Sequence, residues 1–196
     1  DFQADIISLS LGGSQDTNGT EGDSSSATRQ ATDAGIYVVA AAGNDGLDDD
    51  GDVASPGSVD LAISVGATTQ GGSVWQNSSV GASYDREGFP RQHPNMKPEV
   101  VAPGERIIST GQDNLWYSSS GTSDATVFVT GALALILQEN PRLKAQANDD
   151  SACLVKVKQA LVNSMAETAE GHDARTGYGQ LDAAAWLNES QQIGSC

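Results

Sequence analysis

The sequence predicts an α/β fold in which a mostly parallel sheet lies between helices in three layers. Three observations carry that prediction. Short apolar runs recur at Ala4 to Leu11, Ile36 to Ala41 and Leu61 to Ala67, the pattern of strands buried on both faces. A helix-like segment, Ser24 to Ala34, separates the first two, giving the strand–helix–strand unit of parallel sheets. Thr122 to Gln138 supplies a long apolar helix suited to the core.

The elements follow in order. The first run carries Ile6, Ile7 and Leu9 and leaves through Gly12 and Gly13. Ser14 to Asp23 is polar and reads as a loop. Ser24 to Ala34 spaces Ala27, Ala31 and Ala34 on one face and stops at Gly35. Thr68 to Asn95 is rich in Gly, Ser and Asn and reads as turns with short strands. Glu99 to Ala102 and Arg106 to Ser109 are short strands, and Trp116 to Ser119 leads into a glycine turn. The central helix ends near Pro141, and its Phe128 is expected in the core. Ser151 to Ala166 is a second helix with Leu154, Val155, Val157, Leu161 and Val162 as core positions. Asp182 N-caps a last helix through Leu187, and residues 188–196 read as a tail. No repeat or second domain is visible, so residues 1–196 read as a single domain.

Composition narrows the function. The chain has 196 residues, enough for one real core, and a formal charge of -16 from 26 acidic and 10 basic residues. Such a surface repels nucleic acid and anionic membranes. The acidic excess runs along the whole chain. It fits a halophilic surface, where salt screens self-repulsion, or an ordinary acidic secreted one. No span approaches the roughly 18–20 apolar residues of a membrane helix. Cys153 and Cys196 are too few for a disulfide framework, and either pair or remain free thiols.

The strongest local signal is Ser120-Gly121-Thr122-Ser123-Asp124-Ala125 before the central helix. It puts the Ser123 hydroxyl where a tight turn becomes a helix, at the positive end of the dipole. From the tetrapeptide alone, a turn with an N-cap would suffice. A second signal is Ala40-Ala41-Ala42-Gly43-Asn44-Asp45-Gly46, an amide side chain on a glycine-flanked loop after an apolar strand. A serine nucleophile and a fixed amide donor are two parts of an acyl-transfer site.

These motifs, with Ser10-Leu11-Gly12-Gly13 upstream, occur in the order found in subtilases, the subtilisin-like serine peptidases, and the chain resembles that family. Three more segments match in the same order. They are Ser55-Pro56-Gly57 with the following strand, the segment from Lys97-Pro98-Glu99 to Ala102-Pro103-Gly104, and Gly177-Tyr178-Gly179-Gln180-Leu181-Asp182-Ala183. Together they reach from about residue 5 to 187. The resemblance implies a subtilisin-like fold, incomplete on its N-terminal side. It implies a serine endopeptidase with Ser123 as nucleophile and Asn44 as oxyanion donor. Ser10, Leu11, Gly12 and Gly13 match the substrate-binding edge, Ala41, Ala42 and Gly43 the opposite pocket wall, and Ser55 to Gly57 the pocket base.

The family's Asp and His motifs are absent from this chain and are expected upstream of Asp1. The implied partners are a polypeptide substrate and whatever covers the exposed edges: the N-terminal half, a partner chain or a second copy. The resemblance also implies an extracellular location. A non-catalytic peptide-binding or structural module, and one half of a split peptidase, are the alternatives. Asp124 and the missing proline after Ser123 depart from the family pattern, and Asp124 would weaken oxyanion binding if it pointed inward. His93 and His172 read as ordinary surface histidines rather than bases. No cofactor is required. The acidic loop of Asp45, Asp48, Asp49, Asp50 and Asp52 reads as a solvated turn, with structural Ca²⁺ as its alternative.

Overall fold

The computed structural model describes residues 4–13, 22–46, 51–85, 87–144, 151–165, 171–194 and 196. Four parallel strands form the sheet in sequential order: β1 (Ile6–Leu9), β2 (Tyr37–Ala41), β3 (Ile63–Thr68) and β4 (Val100–Pro103). Both β2 and β3 are buried at every position, which explains their lack of polar alternation. Side chains still alternate between faces. Val39, Val65 and Ala102 face the core cluster of α2 (Thr122–Glu139) and α3 (Ala152–Ser164). Val38, Ile7 and Leu9 face the other side, where Ala31 of α1 (Asp23–Asp33) packs with Val59 and Ala62. The predicted three layers are therefore present. Among the described residues, no helix is long and apolar enough to cross a membrane.

The helices correct several side-chain expectations. In α1 the buried residues are Ser25, Thr28 and Thr32, while Ala27 and Ala34 are exposed and Ala31 is half-buried. Hydroxyls survive burial there because they find partners: Thr32 Oγ1 donates to the Arg29 carbonyl at 3.0 Å, and Ser25 Oγ pairs with Ser55 Oγ. In α2 the buried stripe is Ala125, Thr126, Val129, Ala132, Leu133, Ile136 and Leu137. Phe128 falls outside that stripe and is 42% exposed, contrary to its expected place in the core. In α3 Leu154, Val157, Leu161 and Val162 are buried, but Val155 is 42% exposed. Helical phase gives the buried position one turn after Leu154 to Lys158 instead.

Two further elements complete the fold. The strand expected at Arg106 to Ser109, β5 (Ile107–Thr110), pairs with β6 (Trp116–Ser119) as an antiparallel hairpin. The last helix, α4 (Ala183–Gln191), is N-capped by Asp182, whose Oδ1 accepts from Ala185 N at 2.8 Å. It runs four residues past Leu187, into the segment read as a tail, because buried Trp186 and Ser190 hold it to the core. The outer edge of β4 is covered by the closing turn: Val101 N donates to Gly179 O at 3.0 Å and Leu181 N to Val101 O at 2.9 Å. The loop at 14–21 and the expected helix end at Ala166 lie outside the described residues.

Cys153 and Cys196 form a disulfide across a separation of 43 residues, settling the pairing left open by the sequence. Loop closure of that length stabilises by about 4 kcal/mol. Replacing Cys196 by Ser is expected to lower the urea-unfolding free energy by roughly that amount, and reduced wild type should match the variant.

Candidate active site

The turn before α2 is built by backbone packing. Gly121 has no capping side chain, and its carbonyl accepts from Asp124 N at 3.1 Å and Ala125 N at 3.3 Å. Its N–H donates to Gly104 O at 2.8 Å. Gly104 leaves no space for a side chain: a Cβ there would lie 2.6 Å from Ala67 Cβ and 2.7 Å from Gly121 O. The Ala-Pro-Gly exit of β4 and the turn before α2 are thus locked together. Ser123 stands half-buried in the first helical turn. N–H groups there lack intrahelical acceptors, and the dipole favours an anion.

Asn44 reaches this turn from the exit of β2. Gly43 adopts φ +109°, and a Cβ on it would lie 2.6 Å from Ser79 Oγ, so the bend toward α2 requires glycine. Asn44 Oδ1 accepts from Thr122 N at 2.9 Å and from Thr122 Oγ1 at 3.0 Å. With the oxygen so occupied, the amide keeps its Nδ2 donors for another acceptor. That Nδ2 lies 3.6 Å from where a side chain on Gly121 would begin. Asn44 thus holds Thr122, the residue directly before Ser123.

The predicted substrate segments surround the same point. Ser123 Oγ donates to Ser10 O at 3.4 Å, and Ser10 Oγ donates to Ser123 O at 3.2 Å. Leu11 is exposed. Gly12 lies against Ala54. Gly13 N and O both pair with Ser55, at 3.2 Å each, so Gly13 frames the next loop rather than forming a free edge. Ala41 and Ala42 are buried, and Ala42 O accepts from Ala54 N at 2.7 Å. Gly57 packs on the Ala41 carbonyl.

Other candidates have different surroundings. Asp124 Oδ1 accepts from Ser119 Oγ, which ties the carboxylate to β6, while its Oδ2 flanks Gly121. His93 pairs with Tyr178 OH at 3.2 Å and with Gln159 at 2.8 Å. His172 Nε2 lies 2.9 Å from Pro98 O, and burial lowers its pKa. Both rings pack edge-on against Tyr178. Asp48, Asp49 and Asp50 lie outside the described residues, and Asp52 pairs with Arg91. Among the described residues no group of three or more His, Cys, Asp or Glu could hold a metal ion. Thr122 was not anticipated, although the threonine before the serine was its visible signal.

The three-layer α/β frame thus carries a serine in the first turn of α2 and an asparagine bonded to the threonine before it. The family model described as "Subtilase family" matches residues 1–179, and the chain belongs to the subtilase family of serine peptidases. Serine protease AprX of Bacillus subtilis (strain 168) is 36% identical over 159 residues, covering 73% of this chain and 36% of that protein. Alkaline elastase YaB of Bacillus sp. (strain YaB) is 34% identical over 180 residues, covering 92% and 39%. The structure of the self-cleaved protease domain of PatA superposes with a TM-score of 0.72 at 28% identity, covering 98% of this chain and 64% of that one. The chain therefore spans well under half the length of these two curated relatives.

Behind the site lies a buried ion cluster that the sequence did not announce. Lys97 and Lys158 are both fully buried and both reach Glu99 Oε1, at 2.8 and 2.5 Å. Glu99 Oε2 accepts from Ser64 N at 2.7 Å. Burial pushes the Lys97 amine down to about 7 from its ordinary 10.5, against the pull of Glu99, and lowers Lys158 in the same direction. Between about pH 7 and 10.5 the unfolded chain holds protons that folded Lys97 has released. Folding stability therefore rises with pH across that window, by at most about 1.4 kcal/mol per pH unit for one proton. Urea unfolding at pH 7.5 and 9.5 should show this gain in wild type and a smaller one in Lys97→Met.

Proposed function

We propose that this chain is the C-terminal part of a subtilisin-like catalytic domain that hydrolyses peptide bonds through an acyl-enzyme. Ser123 attacks the carbonyl carbon. Its own N–H and the Asn44 Nδ2 group receive the oxygen that becomes negative. The observation that supports this best is the double contact of Thr122 with Asn44 Oδ1, at 2.9 and 3.0 Å, which leaves the donor end of the amide beside the serine turn. A histidine base takes the serine proton and returns it to the leaving amine, with a carboxylate to orient it. Residues 10–12 receive the peptide as an added strand, and residues 41–43 form the facing wall.

The base and its carboxylate belong to the missing N-terminal half. Three uncovered surfaces support that assignment. The sheet ends at β1, which pairs only with β2 among the described strands. The α2 residues Val127, Phe128 and Leu135 are exposed, as are Ile108, Leu115, Trp116 and Tyr117 on and around the hairpin. An open sheet edge and an apolar surface of this kind call for cover. The N-terminal half of the same domain fits best; a partner chain or second copy is the alternative. The disulfide favours an oxidising, extracellular setting, although one relative is named "Intracellular serine protease".

In the full-length protein, Ser123→Ala should abolish peptide hydrolysis. Removing the oxyanion asparagine of a subtilisin costs about 10²–10³ in turnover, and Asn44→Ala should lower kcat by a similar factor with little change in KM. The 196-residue chain alone should react with a fluorophosphonate probe far more slowly than the full-length protein. Equal rates of labelling at Ser123 would place the base within this chain.

A further inference from the structure

We propose that the buried ion cluster around Glu99 fixes the floor of the substrate pocket and so governs which side chain the enzyme accepts beside the scissile bond. The inference rests on the peptidase reading above and adds a set of positioning residues to it.

The segment at 51–62 has two faces. Its residues 54–57 touch the pocket elements. Ala54 N bonds Ala42 O, Ser55 pairs with Gly13, and Gly57 packs on Ala41. The carbonyls of Ser58, Val59, Asp60 and Ala62 turn inward to three basic side chains. Arg91 Nη1 donates to Ser58 O at 3.0 Å. Lys97 Nζ donates to Val59 O at 2.7 Å and to Ala62 O at 2.8 Å. Lys158 Nζ donates to Asp60 O and, at 3.0 Å, to Ala62 O.

Loop carbonyls are ordinarily left to water. Here bonds from Arg91 and Lys97 on one segment and from Lys158 on α3 set their directions. The cluster matches three basic side chains with three acidic ones. Arg91, Lys97 and Lys158 face Asp52, Asp60 and Glu99, with Arg91 2.8 Å from Asp52 and 2.9 Å from Asp60. Asp52 also accepts from Val53 N at 2.8 Å and Ala82 N at 3.1 Å, which anchors the start of the same segment. A loop held at its start and along its second half cannot move its middle freely. The position of residues 54–57 against Gly12, Gly13, Ala41 and Ala42 follows from the ions behind them.

The test uses Lys158→Met and Asp60→Asn in the full-length protein. The Asp60 side chain is 45% exposed, so its variant is the milder probe. Two readouts are taken: kcat/KM for paired peptides carrying Phe or Ala before the scissile bond, and hydrogen exchange at the Ala54 and Ser55 amides. The Phe-to-Ala selectivity ratio should change by at least about fivefold in Lys158→Met and about twofold in Asp60→Asn, a range within what a reshaped pocket gives. Exchange at Ala54 and Ser55 should quicken by about tenfold or more in Lys158→Met. A selectivity ratio unchanged in folded variants that are merely less stable would overturn the proposal. If Lys158→Met does not fold, Asp60→Asn alone decides. Should wild type cleave neither peptide, the peptidase reading fails and takes the selectivity claim with it. Unchanged exchange at Ala54 and Ser55 separately defeats the anchoring claim, whatever the activity.

Discussion

The bond between Thr122 and Asn44 is the constraint on which the site depends. It joins residues 78 positions apart and brings the exit of β2 into register with the entry of α2. Thr122 is buried and occupied at both polar atoms: its N–H and hydroxyl contact Asn44 Oδ1, and Gly43 N donates to the hydroxyl at 3.2 Å. A satisfied buried hydroxyl of this kind selects one geometry, because each alternative leaves a polar group without a partner. The threonine therefore decides where the asparagine stands relative to the serine.

The sheet explains why these loops meet. Parallel strands direct their carboxyl ends to one side, and ligands of open α/β sheets bind there. At that side β2 delivers Gly43 and Asn44, while β4 delivers Gly104. The core beneath is α2 lying across the sheet, with Leu133 and Val129 fully buried near Val39 and Val65. The helix that fills the core also presents its N-terminus to the site. Packing and the proposed chemistry share one element, so the position of Ser123 is as firm as the core itself.

Much of this was legible in the chain. Continuous apolar runs marked β2 and β3 because burial on both faces removes alternation. The glycine-bounded Ser123 and Asn44 segments were readable because tight backbone contact admits few residues. Side-chain destinations were less legible. Phe128 and Val155 look like core residues by type, but helical phase turns them outward. Lys158 looks like a surface residue by type, yet phase carries it into the interior, where Glu99 and two carbonyls receive it. Such a partner lies far away in sequence, and hydropathy has no term for it. The disulfide stayed one of two alternatives for the same reason, since it depends on the approach of segments 43 residues apart.

The ion cluster divides the electrostatics of the molecule into two regimes. Of 10 basic and 26 acidic side chains, three of each belong to the cluster, which leaves seven and 23 for the remainder. The largely enclosed ions have little contact with mobile counterions, whereas the outer acidic excess is bathed in them. Added electrolyte therefore relaxes the shell while leaving the inner lattice of charges nearly untouched. A brine that quiets the exterior repulsion would find the architecture behind the pocket largely out of its reach.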